Sequence, residues 1–401
     1  SEGPACGLQH EPVAVPEAVL AALRAACDRV QTERADIVAG TRDWWARTMV
    51  AETSGHPATP QAVIAHASTV EQVQAVMRIA DAHAIPVTVS AGRSNVTGAA
   101  LPLRGGIVLD LCELNRFIAM DEQSQIVEVE AGMFGDVFEE TIQRRHGMTM
   151  GHWPSSFGIS TVGGWVACRG AGQLSTRYGK IEDMVHGMDV VLADGRLVTV
   201  GGYARAAIGP DLQQLFIGSE GTLGIITELT LRLHAQPEAV TSAVCAFETL
   251  EAAVETVILT IQMGIPMARI EFLDAAAVAA CNAYSGLSLP IAPLLLVEFH
   301  GSPRGVKEDA TRFGGIAADF GSKGFDWASQ QEDRTRLWKM RHAAYPAILA
   351  TRPGAKAIVT DVCVPISRLA EAVTETRADI DASPLPGPIL GHVGDGNFHA
   401  I

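Results

Sequence analysis

Three bends rich in glycine and hydroxyl residues follow one another between residues 90 and 224: Ser90-Ala91-Gly92-Arg93-Ser94-Asn95-Val96-Thr97-Gly98, then Ser160-Thr161-Val162-Gly163-Gly164-Trp165 with Arg169-Gly170-Ala171-Gly172 behind it, then Gly218-Ser219-Glu220-Gly221-Thr222-Leu223-Gly224. The first comes directly after an apolar strand at 85–89. Small residues let backbone N–H groups converge on an anion, and Ser94, Asn95 and Thr97 add donors. Any one of these bends on its own reads as a tight turn. Three in succession point to a long, phosphate-bearing cofactor. The fingerprints G-x-G-x-x-G and G-x-x-x-x-G-K-[ST] are both missing, which argues against a Rossmann dinucleotide domain.

Composition allows the core that such a site needs. The chain has 401 residues, 48% of them hydrophobic and 19% charged, which excludes a disordered or fibrous chain. At ~150 residues per domain the length suggests two or three domains. Acids outnumber bases 45 to 30, a formal charge of −15, which argues against nucleic-acid binding and against a polybasic membrane patch. The seven cysteines (Cys6, Cys27, Cys112, Cys168, Cys245, Cys281 and Cys363) are odd in number and form no C-x-x-C pair. That argues against a disulfide framework and for a reducing compartment. The most apolar stretch, 287–297, is broken by Pro290 and Pro293, so no transmembrane segment is expected. The start has no signal-peptide pattern, and Ser1 stands where an initiator Met would, as in a processed or trimmed chain. The expectation is a cytoplasmic protein, at most peripheral to a membrane.

Residues 1–56 read as a helical lead-in, closed by a Gly-, His- and Pro-rich loop at 54–60. Strands and helices then alternate to about residue 236. Ser68 and Glu71 have capping-box spacing ahead of Val70, Val73, Val76, Met77 and Ala80. A helix at 136–145 is closed by Gly147. Asp194-Gly195 between strands 190–192 and 197–200 signals a hairpin, and 226–233 alternates like a half-buried strand. Pro237 marks a boundary, after which a second alternating pattern begins: a helix at 250–261, and strands at 267–272, 294–299 and 358–364.

Near the end, Asp395-Gly396 is a candidate two-residue hairpin turn. Pairing outward from it sets His392 opposite His399, with Cβ atoms ~4.5–5.5 Å apart on one face. Two imidazoles so placed could share a divalent ion or form a structural pair, and the geometry leaves both open.

The segments 91–98, 160–164, Arg177-Tyr178-Gly179 and 218–227 recur in the order of the flavin-binding domain of the vanillyl-alcohol-oxidase (p-cresol methylhydroxylase, PCMH) superfamily, which residues 57–236 resemble. That resemblance implies an α+β fold: a two-subdomain PCMH-type FAD-binding domain, followed at 237–401 by an α+β substrate (cap) domain. It implies that Gly92, Arg93, Ser94, Asn95 and Gly98 hold the FAD pyrophosphate. Pro154, Ser155, Ser160, Thr161, Gly163 and Gly164 would line the isoalloxazine and ribityl region, with Glu220, Gly221, Ile225 and Ile226 near the rest of the cofactor. Some members attach FAD through a histidine in the pyrophosphate loop. Residues 92–98 contain none, so non-covalent FAD is expected.

The C-terminal part is similar to the substrate domain of FAD-dependent D-lactate and D-2-hydroxyglutarate dehydrogenases. The matching stretches are Ala268-Arg269-Ile270-Glu271, Leu337-Trp338-Lys339-Met340-Arg341-His342, Thr360-Asp361-Val362-Cys363-Val364-Pro365 and 391–399. By this resemblance His392 and His399 bind a divalent metal, Zn or Mn. Asn397 contacts substrate, and Arg341 binds its carboxylate in a planar fork. The family continues beyond this motif with a Glu metal ligand and an adjacent His base, so the segment ending at Ile401 reads as incomplete. His342 is a weaker candidate for the base, while Trp338 and Trp165 read as pocket or core aromatics. The implied reaction is oxidation of a D-2-hydroxy acid to the 2-oxo acid by hydride transfer to flavin N5. Electrons would pass to a quinone, a cytochrome, an electron-transfer flavoprotein or oxygen. The flavin domain also resembles alkylglycerone-phosphate synthase, which makes a flavin-dependent transferase the rival reading. An inactive FAD-binding fragment is the third.

Overall fold

The computed structural model describes residues 11–54, 61–202, 207–328 and 330–401. Ser1, Cys6 and positions 55–60 of the expected loop lie outside the described residues. The chain divides into two compact units. The first holds the described residues up to Met150 with Ser156–Gly170 and Lys180–Gln236, and the second holds Gly151–Ser155, Ala171–Gly179 and Pro237–Ile401. Both mix helices with sheets, the α+β class expected from the sequence.

In the first unit, a four-stranded sheet runs in the order β1 (Arg29–Gln31), β2 (Ala62–His66), β4 (Gly106–Asp110), β3 (Val87–Ser90). Strands β2, β4 and β3 are parallel, and every residue of β2 and β4 is buried, as a parallel sheet covered by helices requires. The cover comes from helix Glu17–Ala26 through Val19 and Leu23, and from helix Val70–Ala82 through Val73, Val76, Met77 and Ala80. The helical lead-in thus contains helices as expected, but it also supplies β1. The cap of helix Val70–Ala82 sits one residue later than the Ser68–Glu71 expectation. The Thr69 hydroxyl accepts from the Gln72 N–H, and the Gln72 side chain accepts in return from the Ser68 N–H.

The second sheet of this unit is antiparallel, in the order β5 (Phe117–Asp121), β6 (Ile126–Glu130), β10 (Ile225–Arg232), β8 (Val185–Val191), β9 (Leu197–Gly201). A short ribbon pairs β7 (Met148–Thr149) with β11 (His234–Ala235). The Asp194-Gly195 hairpin forms between β8 and β9, but as a longer turn than expected. The Leu192 N–H donates to Arg196 O and the Gly195 N–H to Leu192 O, with Gly195 left-handed at φ 81°. Three residues therefore cross the turn, the arrangement that uses one left-handed glycine rather than two.

The second unit is built on a seven-stranded antiparallel sheet, in the order β15 (Phe325–Ala328), β12 (Ala239–Ala246), β14 (Leu294–Gly301), β13 (Met267–Leu273), β17 (Ile389–Gly391), β18 (Asn397–Ala400), β16 (Val362–Cys363). Side chains alternate between its faces. One face sends Ile270, Phe272, Leu295, Val297 and Phe299 into a core with helices Leu250–Gln262, Pro303–Asp319 and Leu369–Ala382. The other sends Val244, Leu273, Leu294, Leu296 and Leu390 against helices Ala275–Ser285, Gln331–His342 and Ala344–Ala350. The expected strand at 358–364 is reduced to Val362–Cys363, flanked by bonds from Thr360 N–H to Ala400 O and from Val364 N–H to Gly396 O.

The expected register of the terminal hairpin is corrected. Leu390, not His392, lies opposite His399, and Ile389 faces Ala400. Val393–Asp395 forms a 3₁₀ turn, so more chain is spent between the strands than a two-residue turn would use, and His392 falls outside the ladder.

Candidate functional site

Within the first unit, the three bends meet. The first leaves β3 and turns at Arg93, whose φ of 53° is left-handed. The Arg93 guanidinium pairs with buried Asp110 at the end of β4 at 2.7 Å, and the Asn95 side-chain oxygen accepts from the N–H groups of Thr97 and Gly98. Burial pushes the Asp110 carboxyl up, but His66, the Cys112 N–H and Arg93 outweigh this and hold it below the usual carboxylate range. These side chains therefore brace the loop from inside. Among the described residues, the backbone N–H groups of residues 92–96 donate to no protein acceptor. A Cβ on Gly92 would stand 2.4 Å from Ile159 O, so the first bend lies directly on the second. A Cβ on Gly221 would stand 2.3 Å from Val89 Cγ1, which seats the third bend against the strand feeding the first.

Other residues of the expected cradle are occupied locally. Ser160 accepts from Trp165 Nε1 at 2.6 Å and donates to Ser156 O, while Thr161 caps helix Val162–Ala167. A Cβ on Gly163 would stand 2.4 Å from Ala131 Cβ, and one on Gly164 3.1 Å from Thr161 Oγ1. Gly98 lies against Trp45. The Glu220 N–H bonds Ala167 O, and Ile225 and Ile226 are buried. Pro154, buried, and Ser155, exposed, belong to the second unit. The hydroxyls of Ser90 and Ser219 are buried without a hydrogen-bond partner. Free loop amides, glycines that a side chain would block and two orphaned hydroxyls fit a phosphate-bearing cofactor. Trp165, stacked on Phe157, is a core residue.

Within the second unit, Arg269 and Glu271 lie two apart on β13 and so share the face that packs on helix Gln331–His342. Glu271 is fully buried. One of its oxygens is 2.5 Å from His392 Nδ1 and the other 2.6 Å from an Arg341 nitrogen. Burial opposes its charge, yet His392 and Arg341 prevail and hold the carboxyl below its ordinary value. Arg341 is buried too, and its Nε has no protein partner. The His392 and His399 rings come within 6.1 Å, edge to face, despite the corrected register. His399 Nδ1 is 3.0 Å from Thr360 O, and burial, then neighbouring His392, favours its neutral form. With Nδ1 of each imidazole engaged, both Nε2 atoms are left to a ligand. Asn397 turns its amide N–H groups to Asp361 and Val362 O, leaving its carbonyl.

A second acid–base string runs beside the first. Arg269 Nε lies 3.1 Å from Glu298, which also meets His300 Nε2 at 2.8 Å and accepts from Ser242. His300 Nδ1 accepts from the Tyr178 hydroxyl at 2.8 Å. Trp338 stacks on the Arg269 guanidinium at 4.5 Å and donates to Ser242. Burial opposes ionisation of Glu298, but Arg269 and His300 hold it at about 2. His342 is pushed toward its neutral form by burial and by Arg341 and Arg269. The sequence brought Arg341, His392, His399 and Asn397 forward; it did not bring forward Glu271 or Glu298. The signals available were the place of Glu271 in the matching stretch 268–271, and a lone acid, Glu298, inside the apolar run 294–299.

Among the described residues, no group of three or more His, Cys, Asp or Glu side chains is placed to hold a metal ion. The two histidines are at most a partial donor set.

Glycine-rich bends in one unit and a buried acid–base cluster in the other are what the sequence led one to expect of an FAD-dependent oxidoreductase. Comparison with known proteins agrees. Residues 60–201 match an FAD binding domain, and residues 236–401 match the C-terminal domain of FAD linked oxidases. A probable mitochondrial D-lactate dehydrogenase of Danio rerio is 38% identical over 356 residues, 87% of this chain and 71% of that one. The mitochondrial D-lactate dehydrogenase [cytochrome] of Arabidopsis thaliana is 36% identical over 330 residues, 82% and 58%. A D-2-hydroxyglutarate dehydrogenase of Xanthomonas citri pv. viticola is 30% identical over 388 residues, 92% and 77%. The chain belongs to the FAD-linked oxidase family that contains these dehydrogenases. Among solved structures, an alkyldihydroxyacetonephosphate synthase (22% identity, TM-score 0.79, covering 98% of this chain and 81% of that one) and p-cresol methylhydroxylase (19%, 0.77, 96% and 81%) share the fold. No described helix is long and apolar enough to cross a membrane. The first two relatives are named mitochondrial, which does not match the cytoplasmic location expected from the sequence.

Proposed function

We propose that this chain binds FAD without a covalent bond and oxidises a D-2-hydroxy acid of the D-lactate type to the 2-oxo acid. The observation that carries the reading is Glu271, buried, with Arg341 on one oxygen and His392 on the other. The Glu271 carboxylate fixes His392 with Nδ1–H as donor, which makes Nε2 the acceptor for the substrate hydroxyl proton. Arg341 keeps part of its planar fork unpaired, suited to a carboxylate. Asn397 offers its carbonyl to the substrate hydroxyl. FAD, when bound, supplies the hydride acceptor. Were Zn or Mn bound instead, His392 and His399 would be the residues to hold it, it would supply Lewis-acid activation of the substrate hydroxyl, and His392 would then not be the base. The relatives named for a cytochrome support that acceptor ahead of a quinone, an electron-transfer flavoprotein or oxygen.

The test is anaerobic mixing of the FAD-loaded protein with D- and L-lactate and larger 2-hydroxy acids, with and without a chelator. Loss of oxidised-flavin absorbance with the D-enantiomers supports the reading. No bleaching by any 2-hydroxy acid overturns it, and bleaching indifferent to chelator removes the metal.

A further inference from the structure

Residues 171–179 fall in sequence inside the FAD-binding match, yet they are part of the second unit. Four of their side chains reach its sheet or its terminal turn. Gln173 accepts from Arg269, Tyr178 bonds His300, Ser175 bonds the Asp395 carboxylate, and Thr176 packs on Gly394. The last two converge on the turn that separates His392 from His399. A Cβ on Gly394 would stand 2.3 Å from Thr176 Oγ1 and 2.7 Å from Ile270 Cγ2. The turn is also held by Val393, which is fully buried in the core. Its backbone bonds are Asp395 N–H to His392 O and Gly396 N–H to Val393 O, in a 3₁₀ geometry of poor alignment.

We infer that the helical turn Ser175–Tyr178 is the positioning element of the histidine pair. Ser175 anchors Asp395, and Thr176 sets the depth of Gly394. Between them they fix where His392 and His399 aim Nε2. The inference rests on the reading of His392 as the base. A small displacement of a base is costly because rate depends steeply on alignment.

The test compares Ser175→Ala, Thr176→Ala, Gly394→Ala and the Gly394→Ala/Thr176→Ala double variant in the FAD-loaded protein. Ser175→Ala and Gly394→Ala should slow the limiting rate of flavin reduction by D-lactate roughly 10- to 100-fold, with unchanged flavin content and an apparent dissociation constant within about twofold. Amide exchange over residues 393–400 should accelerate in both. Thr176→Ala removes the two Thr176 atoms that the new Cβ would strike and leaves only Ile270 Cγ2 at 2.7 Å, so the double variant should recover part of the rate and of the protection. A double variant no better than Gly394→Ala, or a Ser175→Ala protein with wild-type rate and exchange, would overturn the inference. Should D-lactate leave the wild-type flavin oxidised, the functional reading fails by itself, and the exchange data alone decide the positioning role.

Discussion

A carboxylate sealed under a sheet is stable as an ion only when its partners outweigh the loss of water. Glu271 meets that condition with two partners, and one of them is the proposed base. His392→Asn should keep FAD bound and slow anaerobic flavin reduction by roughly 10²- to 10⁴-fold in stopped-flow absorbance, the usual range for losing a general base. A different buried imidazole, His152, should contribute to acid sensitivity. Burial pushes His152 from 6.5 down to about 3, so the folded protein keeps this ring neutral. Between those values the unfolded chain binds a proton that the folded chain refuses. The stabilisation is therefore complete above pH 6.5 and is lost progressively as the pH falls toward 3. Urea midpoints measured from pH 7 to pH 4 should decline, and His152→Phe should flatten the decline; an equal slope in the variant would refute the assignment. The motif residues Arg341, His392, His399 and Asn397 could be picked out from sequence because family stretches surround them. Glu271 also closes a matching stretch, 268–271, but it drew no role, since on a strand of alternating character a carboxylate reads as a solvent-facing position. Only the helix packed over that face reveals it as buried.

Strands and helices with strong periodicity were readable; turns were less so. Helix Leu250–Gln262 and strand Ile225–Arg232 lie within a residue or so of their expected bounds, because burial along each follows its own period. The terminal hairpin went wrong by its turn. Asp395-Gly396 has the composition of a two-residue connection, but Val393 is fully buried and pulls residues 393–395 into a tight helical turn. The register then moves by two, which keeps His399 on its face. The glycine bends can be tested as elements too. Gly92→Val forces a side chain onto Ile159 O and should yield protein with several-fold less flavin by the ratio of visible to ultraviolet absorbance. Gly158→Ala, whose new Cβ would come no nearer than 3.7 Å to Asp136, should load normally. Equal flavin in both would mean that the first bend does not form the cradle.

For the whole molecule, the absence of histidine from residues 92–98 predicts that flavin is released on acid precipitation, with colour in the supernatant; colour retained in the pellet would refute this. Added FAD should also raise the apparent melting temperature in proportion to the logarithm of its free concentration, since a ligand of the native state stabilises by mass action. What no local pattern could foretell is the path of the chain. Residues 151–155 and 171–179 leave the first unit and return to it twice, and their destination depends on strands encoded after Pro237. This has a consequence for biosynthesis. On the ribosome, Trp153 and Tyr178 emerge well before the sheet that will shelter them, and they must wait, uncovered, until the last strands have been made. A nascent chain stalled near residue 236 should accordingly be a client for chaperones, even though every strand of its first two sheets has already been synthesised.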